Sequence, residues 1–157
     1  MTNYIQRNNG GENVSQLTYA KILSKNDSDI FKILQIHRLP DISRFLSISD
    51  NYFNYVTNTE NVYFYKVYEN EKIIGTIHLE KYDHLLYMDI LIFPEFQRRG
   101  FATKVIKDIQ NDIFKLNYKK IEISIDKSNI ASIKLFENAG FRFVSKEDEL
   151  INFTYEK

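Results

Sequence analysis

The hydrophobic positions of the chain follow the spacing of strands and of helices in turn from Leu17 to the C-terminus. An apolar residue at every second position indicates a strand, whereas apolar residues at positions i, i+3, i+4 and i+7 indicate a helix. Strand-like runs cover residues 17–23, 62–68, 72–80, 85–93, 120–125, 141–144 and 150–155. The run 85–93 has little polar alternation, so we expect it to be a central strand.

Helical spacing predicts short helices before residue 60 and two clearer helices in the second half of the chain. The clearest helix spans 101–116, with an apolar stripe at Ala102, Val105, Ile106, Ile109, Ile113 and Leu116. The other spans 130–139 and ends before Gly140, which suits a left-handed C-cap. This order of elements predicts an α/β (α+β) fold in which helices cover both faces of a mixed sheet.

Composition and charge are those of an ordinary globular protein. The 157 residues fit one domain. We predict a flexible N-terminal arm over the polar residues 1–16, either disordered or loosely docked as a strand, and a single domain over residues 17–157. Lys plus Arg and Asp plus Glu both number 21, so the formal net charge is zero. The chain therefore offers no wide basic surface for nucleic acid or for an anionic membrane.

The chain contains no cysteine, which excludes several kinds of chemistry. Disulfides, thiolate metal sites and a cysteine nucleophile are all impossible. The N-terminus lacks the apolar stretch of a signal peptide, and no apolar run approaches the ~20 residues of a membrane span. We therefore expect a cytoplasmic protein.

Residues 94–103, P-E-F-Q-R-R-G-F-A-T, join the predicted central strand to the clearest helix. A helix N-terminus presents unpaired N–H groups and a partial positive charge, and a preceding glycine lets the backbone close around an anion. Arg98 and Arg99 add two full charges beside Gly100. The junction is either an anion site suited to a pyrophosphate or a plain strand-to-helix turn with two solvated arginines.

Residues 129–141, N-I-A-S-I-K-L-F-E-N-A-G-F, follow the next strand, and Asn129 is a suitable helix N-cap. Together the two segments resemble the motifs of the GNAT superfamily of N-acetyltransferases in order and in spacing. The first is similar to the family's Q/R-x-x-G-x-G/A loop, and the second to its N-x-x-S-x-x-L-Y-E-x-x-G-F. The resemblance covers most of the chain and implies a mostly antiparallel central sheet of six to seven strands.

The resemblance implies that the chain binds acetyl-coenzyme A and needs no metal. The family opens its fourth and fifth strands, here 85–93 and 120–125, around the pantetheine. The implied contacts lie at the end of strand 85–93, in the segment around Gly100 and near the helix 130–139. They are Leu91, Ile92, Phe93, Gln97, Arg98, Arg99, Gly100, Phe101, Ala102, Thr103, Asn129, Ser132 and Phe136.

The implied reaction is direct attack of a primary amine on the thioester in a ternary complex. A backbone N–H near Ile92 would stabilise the negative charge that develops on the thioester oxygen. Many family members use the Tyr of L-Y-E to protonate the departing thiolate, but this chain has Phe136. A thiol has a pKa near ~8.5, so its thiolate is a tolerable leaving group without that acid. Tyr87 or a water is an alternative donor.

The base that deprotonates the amine is open between Glu122 and Asp89. Either carboxylate is a candidate catalytic group, and either also fits a surface position or a strand-end hydrogen bond. The alternation of 85–93 places Tyr87, Asp89 and Leu91 on one face, but it does not say which face lines the cleft. His78 and His84 are the other titratable candidates near neutrality, and they are better explained as structural or exposed residues than as metal ligands.

The leading hypothesis is an acetyltransferase for a small amine (a polyamine, an amino acid or an aminoglycoside), which we favour over a protein N-terminus. The alternative is a non-catalytic module that senses or docks through acyl-coenzyme A, and Phe136 supports it. Binding of nucleic acid through Arg98 and Arg99 is disfavoured by the neutral charge. We expect a monomer or a homodimer.

Overall fold

The computed structural model describes residues 4–6 and 16–157 of the chain. Its strands form one eight-stranded sheet in the order β1-β2-β3-β4-β5-β6-β8-β7. The strands are β1 (Tyr4–Gln6), β2 (Leu17–Lys21), β3 (Val62–Glu69), β4 (Lys72–Tyr82), β5 (Leu85–Ile92), β6 (Lys120–Asp126), β7 (Arg142–Glu147) and β8 (Leu150–Glu156). The helices are α1 (Ile30–His37), α2 (Pro40–Ser43), α3 (Tyr52–Asn58), α4 (Phe101–Gln110) and α5 (Ile130–Asn138).

The predicted mixed, mostly antiparallel sheet with helices on both faces is confirmed. Neighbouring strands of the described sheet are antiparallel except β5 and β6, which run parallel. The sheet has one strand more than the six to seven expected, because β1 pairs with the free edge of β2. Most of the arm predicted for residues 1–16 lies outside the described residues, so its flexibility stays a prediction.

Two apolar clusters occupy the two faces of the sheet. Helices α4 and α5 pack with one cluster, and helices α1, α2 and α3 pack with the other. Strand β5 contributes to both: Met88 and Ile92 point into the first cluster, whereas Leu91 and Phe93 point into the second. Burial on both faces explains why the β5 sequence lacks polar alternation.

Strands β5 and β6 pair only at their N-terminal ends. Leu85, Leu86 and Tyr87 lie opposite Lys120, Ile121 and Glu122, and beyond these three pairs the two strands are not bonded to each other. Strand β6 stays bonded to β8 over its full length. The sheet therefore opens at this one junction, between the C-terminal halves of β5 and β6.

Helix α4 is six residues shorter than the predicted helix 101–116. It ends at Gln110, and Asp112 follows with a left-handed φ of 53°. The Asp112 carboxylate then accepts hydrogen bonds from the backbone N–H groups of Leu116 and Asn117. The apolar spacing persists because Ile113 and Leu116 still pack against the core from a turn.

Helix α5 begins at the predicted residue and ends one residue before the predicted end, with Ala139 as its C-cap. The Asn129 side chain accepts a hydrogen bond from the backbone N–H of Ser132 at 3.3 Å. Gly140 has a left-handed φ of 89°, and the N–H of Phe141 donates to the carbonyl of Phe136. This arrangement is a Schellman C-cap. None of the helices in the described ranges is long and apolar enough to cross a membrane.

Candidate active site

The opening between β5 and β6 is a cleft of about 580 Å³. Its walls come from the C-terminal halves of the two strands, the loop before α4, the first turn of α4 and one face of α5. The α2 region closes one end with Ile42, Phe45 and Leu46. The predicted cofactor residues that line it are Leu91, Ile92, Gln97, Arg98, Gly100, Phe101, Ala102, Thr103, Asn129, Ser132 and Phe136.

The edge of β5 that faces the cleft carries unpaired backbone groups. The N–H of Phe93 donates to the carbonyl of Ile74 on β4 at 2.8 Å, so residue 93 directs its backbone away from the cleft. Successive residues of a strand direct their backbone groups to opposite sides. The groups directed at β6 are therefore those of Ile90 and Ile92, and the Ile92 carbonyl accepts a hydrogen bond from Gln97 Nε2 at 2.9 Å.

The loop before α4 is shaped to receive an anion. Arg98 and Gly100 both have left-handed backbone conformations, with φ of 60° and 84°. No described side chain caps α4, so the N–H groups of its first turn, Phe101 to Thr103, stay free and line the cleft. These groups carry the partial positive charge of the helix N-terminus. The free N–H groups and the open space around Gly100 fit a pyrophosphate.

The two arginines of the loop take different positions. Arg98 lines the cleft. Arg99 lies outside it, with its guanidinium 3.8 Å from the Glu69 carboxylate and 5.1 Å from the centre of the Phe101 ring. The Arg98 guanidinium therefore adds a full positive charge to the cleft, whereas the Arg99 guanidinium contacts the side of the loop that faces away from it.

The α5 wall of the cleft is both polar and aromatic. Asn129 and Ser132 stand at its N-terminus, where part of their hydrogen-bonding capacity serves the helix cap. Phe136 lines the cleft one turn further on and packs edge-to-face against Phe141, with 5.1 Å between the ring centres. At this position the cleft receives an aromatic surface without a hydroxyl.

A second, smaller cavity of about 210 Å³ joins the cleft on the α1–α3 face of the sheet. Leu46, Asp89 and Leu91 line both spaces. The remaining walls come from α1, α3, β3, β4 and the loop after α2: His37, Ser47, Ile48, Tyr52, Tyr55, Phe64, Thr76, His78 and Glu80. The two spaces are therefore continuous at Asp89.

Asp89 is the carboxylate at this junction. Its side chain is exposed where the two spaces open, yet the surrounding protein partly desolvates the carboxyl group, and this desolvation raises its pKa. The nearby carboxylate of Glu80 raises the pKa further, whereas positive charge on His78 or His37 lowers it. No described residue donates a hydrogen bond to Asp89, so its oxygens are free to accept one from a ligand.

Glu80, in contrast, is engaged in a hydrogen-bonded network at the mouth of the cavity. Its carboxylate contacts His78 Nε2 at 3.0 Å and accepts a hydrogen bond from the Tyr55 hydroxyl at 2.8 Å. His78 Nδ1 contacts the Tyr52 hydroxyl at 2.5 Å. The bond to Glu80 raises the pKa of Tyr55 to about 12, and burial raises the pKa of Tyr52. Both tyrosines are therefore neutral donors at physiological pH.

His37 closes the bottom of the cavity. Its Nδ1 donates to the carbonyl of Leu46 at 3.1 Å, and its buried Nε2 has no hydrogen-bond partner among the described residues. Burial lowers the pKa of the imidazole, so His37 is neutral near pH 7. The free Nε2 is then an acceptor.

The second candidate carboxylate, Glu122, lies elsewhere. It stands at the last paired position of β5 and β6, opposite Tyr87, and its carboxylate contacts Lys120 Nζ at 2.6 Å. Neither Glu122 nor Tyr87 lines the cleft or the cavity. Phe93 also lies outside both, fully buried in the second apolar cluster.

The structure therefore brings Asp89 together with most of the predicted cofactor residues, and it separates Glu122, Tyr87, Arg99 and Phe93 from them. The sequence reasoning missed His37, Tyr52 and Glu80, and it took His78 for a structural residue. A partial signal exists, because Thr76, His78 and Glu80 alternate along β4. That alternation becomes informative only with the register, which places His78 opposite Asp89.

Several solved structures share this fold at low sequence identity. A domain from Methanocaldococcus jannaschii is 20% identical with a TM-score of 0.77, and the match covers 92% of this chain and 100% of that one. Spermidine N-acetyltransferase from Vibrio cholerae, in complex with coenzyme A and spermine, is 19% identical with a TM-score of 0.77, over 91% and 96% of the two chains. An aminoglycoside acetyltransferase in complex with coenzyme A is 17% identical with a TM-score of 0.73, over 90% and 95%.

No curated protein sequence matches the chain at a significant level. The family model described as Acetyltransferase (GNAT) family matches residues 30–141, which include α1, the cavity, the cleft and both sequence motifs. The match spans well over half of the chain and agrees with the resemblance inferred from the two motifs. The chain therefore belongs to the GNAT acetyltransferase family.

Proposed function

We propose that the protein transfers the acetyl group of acetyl-coenzyme A to the nitrogen of a small primary amine. The observation that carries this proposal is the continuity of the two spaces at Asp89. One space has the free N–H groups of a helix N-terminus and an open strand edge, and the other has an unpaired carboxylate. A donor bound in the cleft and an acceptor bound in the cavity would therefore meet at Asp89.

The cleft supplies the groups that hold the donor. The N–H groups of Phe101 to Thr103 and the Arg98 guanidinium face the position of a pyrophosphate. The backbone groups of Ile90 on the open β5 edge bind the pantetheine arm, and Phe136 gives it an apolar wall. The bound donor supplies an acetyl thioester, which a neutral amine attacks.

Asp89 prepares the acceptor amine. An alkyl ammonium has a pKa near ~10.4, so the amine enters the cavity charged and must lose a proton before it attacks. The Asp89 carboxylate binds the ammonium and accepts that proton, and its raised pKa makes it a stronger base than an exposed aspartate. Water in the cavity carries the proton away.

The overall reaction converts the ammonium and the thioester into an amide and a thiol, and it releases one proton. The amine nitrogen forms a bond to the acetyl carbon while the carbon–sulfur bond breaks, and the sulfur leaves with the electron pair. The nitrogen loses its second proton, and the thiolate takes one up from water. The N–H of Ile92 lies on the β5 edge beside the reacting carbon and stabilises the negative charge that develops on oxygen.

Calorimetric titration with acetyl-coenzyme A, followed by a thiol-release assay with a panel of amines, tests the proposal. Binding together with turnover on at least one amine supports it. Binding without turnover on any amine favours the alternative, a non-catalytic sensor of acyl-coenzyme A, which the missing hydroxyl at Phe136 supports. Absence of binding contradicts both.

A further inference from the structure

The size of the cavity at Asp89 limits the part of the acceptor that it encloses. Its volume is about 210 Å³. An apolar protein cavity of roughly 150 Å³ accommodates benzene, which has six carbon atoms. In proportion, the cavity holds a molecule of about eight or nine non-hydrogen atoms. This matches a compact amine and is far smaller than an oligosaccharide.

Part of the cavity wall is apolar. Leu46, Ile48, Phe64 and Leu91 form this part, with the ring of Tyr52 packed edge-to-face on Phe64, and we place the body of the amine against it. Burying apolar surface against these side chains is favourable by about 25 cal/mol per Å². A hydrocarbon or aromatic body therefore gains more here than a hydroxylated one.

The charge of the cavity discriminates between classes of amine. Two carboxylates line it, Asp89 and Glu80, whereas no Lys or Arg among the described residues does. A substrate carboxylate would enter without a cationic partner and close to two like charges, which is costly. One oxygen of Glu80 already holds His78 and Tyr55, whereas no described residue donates a hydrogen bond to Asp89, so Asp89 is the carboxylate more open to an incoming ammonium.

We infer that the acetyl acceptor is a compact primary amine with an apolar body, one ammonium group and no carboxylate. The inference rests on the proposed function and narrows its acceptor. It disfavours amino acids, because their carboxylate finds no partner. It also disfavours aminoglycosides, which are too large for the cavity, and polyamines, whose chain carries further ammonium groups past the apolar side chains.

A matched pair of probes tests the inference. Phenethylamine and L-phenylalanine differ by the carboxylate alone, and spermidine and kanamycin represent the two polycationic classes. We expect kcat/KM for phenethylamine to exceed that for phenylalanine by about 100-fold, which corresponds to an uncompensated charge at a partly enclosed site. The kcat/KM for phenethylamine should also exceed the values for spermidine and kanamycin.

A designed change of specificity adds an independent readout. Ser47 is exposed and lines the cavity, so a long side chain is tolerated there. Ser47→Arg introduces the missing cation, and Ser47→Gln is the uncharged control of similar length. Ser47→Arg should lower the ratio of phenethylamine to phenylalanine activity about tenfold relative to Ser47→Gln.

The outcomes separate the inference from the proposed function. Equal or higher activity on phenylalanine, spermidine or kanamycin overturns the inference and leaves an acetyltransferase. Binding of acetyl-coenzyme A with no acetylation of phenethylamine also overturns it. Failure to bind acetyl-coenzyme A overturns the proposed function, and the inference falls with it.

Discussion

Asp89 on β5 lies directly opposite His78 on β4 in the antiparallel register of the sheet. Both side chains project from the α1–α3 face into the same cavity, and Asp89 also lines the cleft on the far side of β5. Positive charge on His78 lowers the pKa of Asp89, in opposition to the burial that raises it. The protonation of the carboxylate at the junction therefore depends on its partner across the sheet.

His37 should make the stability of the protein depend on pH. Burial lowers its pKa in the folded state, so the unfolded chain binds the proton more readily. The stability it contributes is present above the unfolded value of about 6.5 and is lost as the pH falls below it. Denaturant unfolding between pH 5.5 and 7.5 measures this loss.

Replacement of His37 by Leu should remove that dependence. The variant loses the hydrogen bond to Leu46 and about 1 kcal/mol of stability at pH 7.5. Its deficit relative to wild type should shrink as the pH falls. His84→Gln, at an exposed site, is the control and should keep the wild-type slope. Parallel curves for His37→Leu and wild type would show that His37 does not titrate on unfolding.

Arg98 and Arg99 should differ in their effect on donor binding. Arg98→Ala removes a charge that faces the cleft and should weaken acetyl-coenzyme A binding by about tenfold to 100-fold. Arg99→Ala removes a group held by Glu69 and Phe101 and should change affinity by less than about twofold. Calorimetric titration of both variants checks this, and equal losses would contradict the assignment.

A negatively charged side chain at position 100 should weaken acetyl-coenzyme A binding far more than a small uncharged one. Nothing lies within 4 Å of an added Cβ, so Gly100→Ala costs only the strain of a left-handed residue, about 1 kcal/mol. Gly100→Glu places a carboxylate at the free N–H groups and should weaken acetyl-coenzyme A binding at least about 100-fold. Gly140→Ala has the same strain outside the cleft and should leave affinity unchanged. Wild-type affinity in Gly100→Glu would refute the pyrophosphate site.

Phe136→Tyr should keep or raise kcat, since it adds a hydroxyl to a ring that lines the cleft. The gain is limited to about tenfold because a thiolate leaves readily without an acid. Phe141→Tyr, on the neighbouring ring outside the cleft, is the control and should leave kcat unchanged. A tenfold fall in Phe136→Tyr alone would show that the apolar wall matters more than a missing acid.

The fold and the proposed donor site follow largely from local signals. The Asn129 cap, the Gly140 turn and the uninterrupted apolar run of β5 depend on neighbours in sequence, and the structure confirms all three. The predicted end of the helix 101–116 is wrong because the apolar spacing continues through the turn that follows Gln110. The left-handed Asp112, not the hydrophobic pattern, decides where that helix stops.

The proposed acceptor site could not be derived in the same way because its residues meet only through long-range packing. His37, Tyr52, His78 and Asp89 come from two helices and two strands, and the strand register that joins the last two is not encoded locally. The sequence could not decide between Asp89 and Glu122 for the same reason. Each belongs to a β-strand, and only the separation of β5 from β6 beyond residue 87 distinguishes a cleft residue from a paired one.

The most direct test of the account compares Asp89→Asn with Glu122→Gln in one thiol-release assay, using the best acceptor from the amine panel. Asp89→Asn should lower kcat/KM by about 10²–10⁴-fold, while the Kd for acetyl-coenzyme A stays within about twofold of wild type. Glu122→Gln should retain wild-type values of both. Full activity in Asp89→Asn, or a comparable loss in Glu122→Gln, would contradict the assignment of Asp89 as the group that receives the proton of the amine.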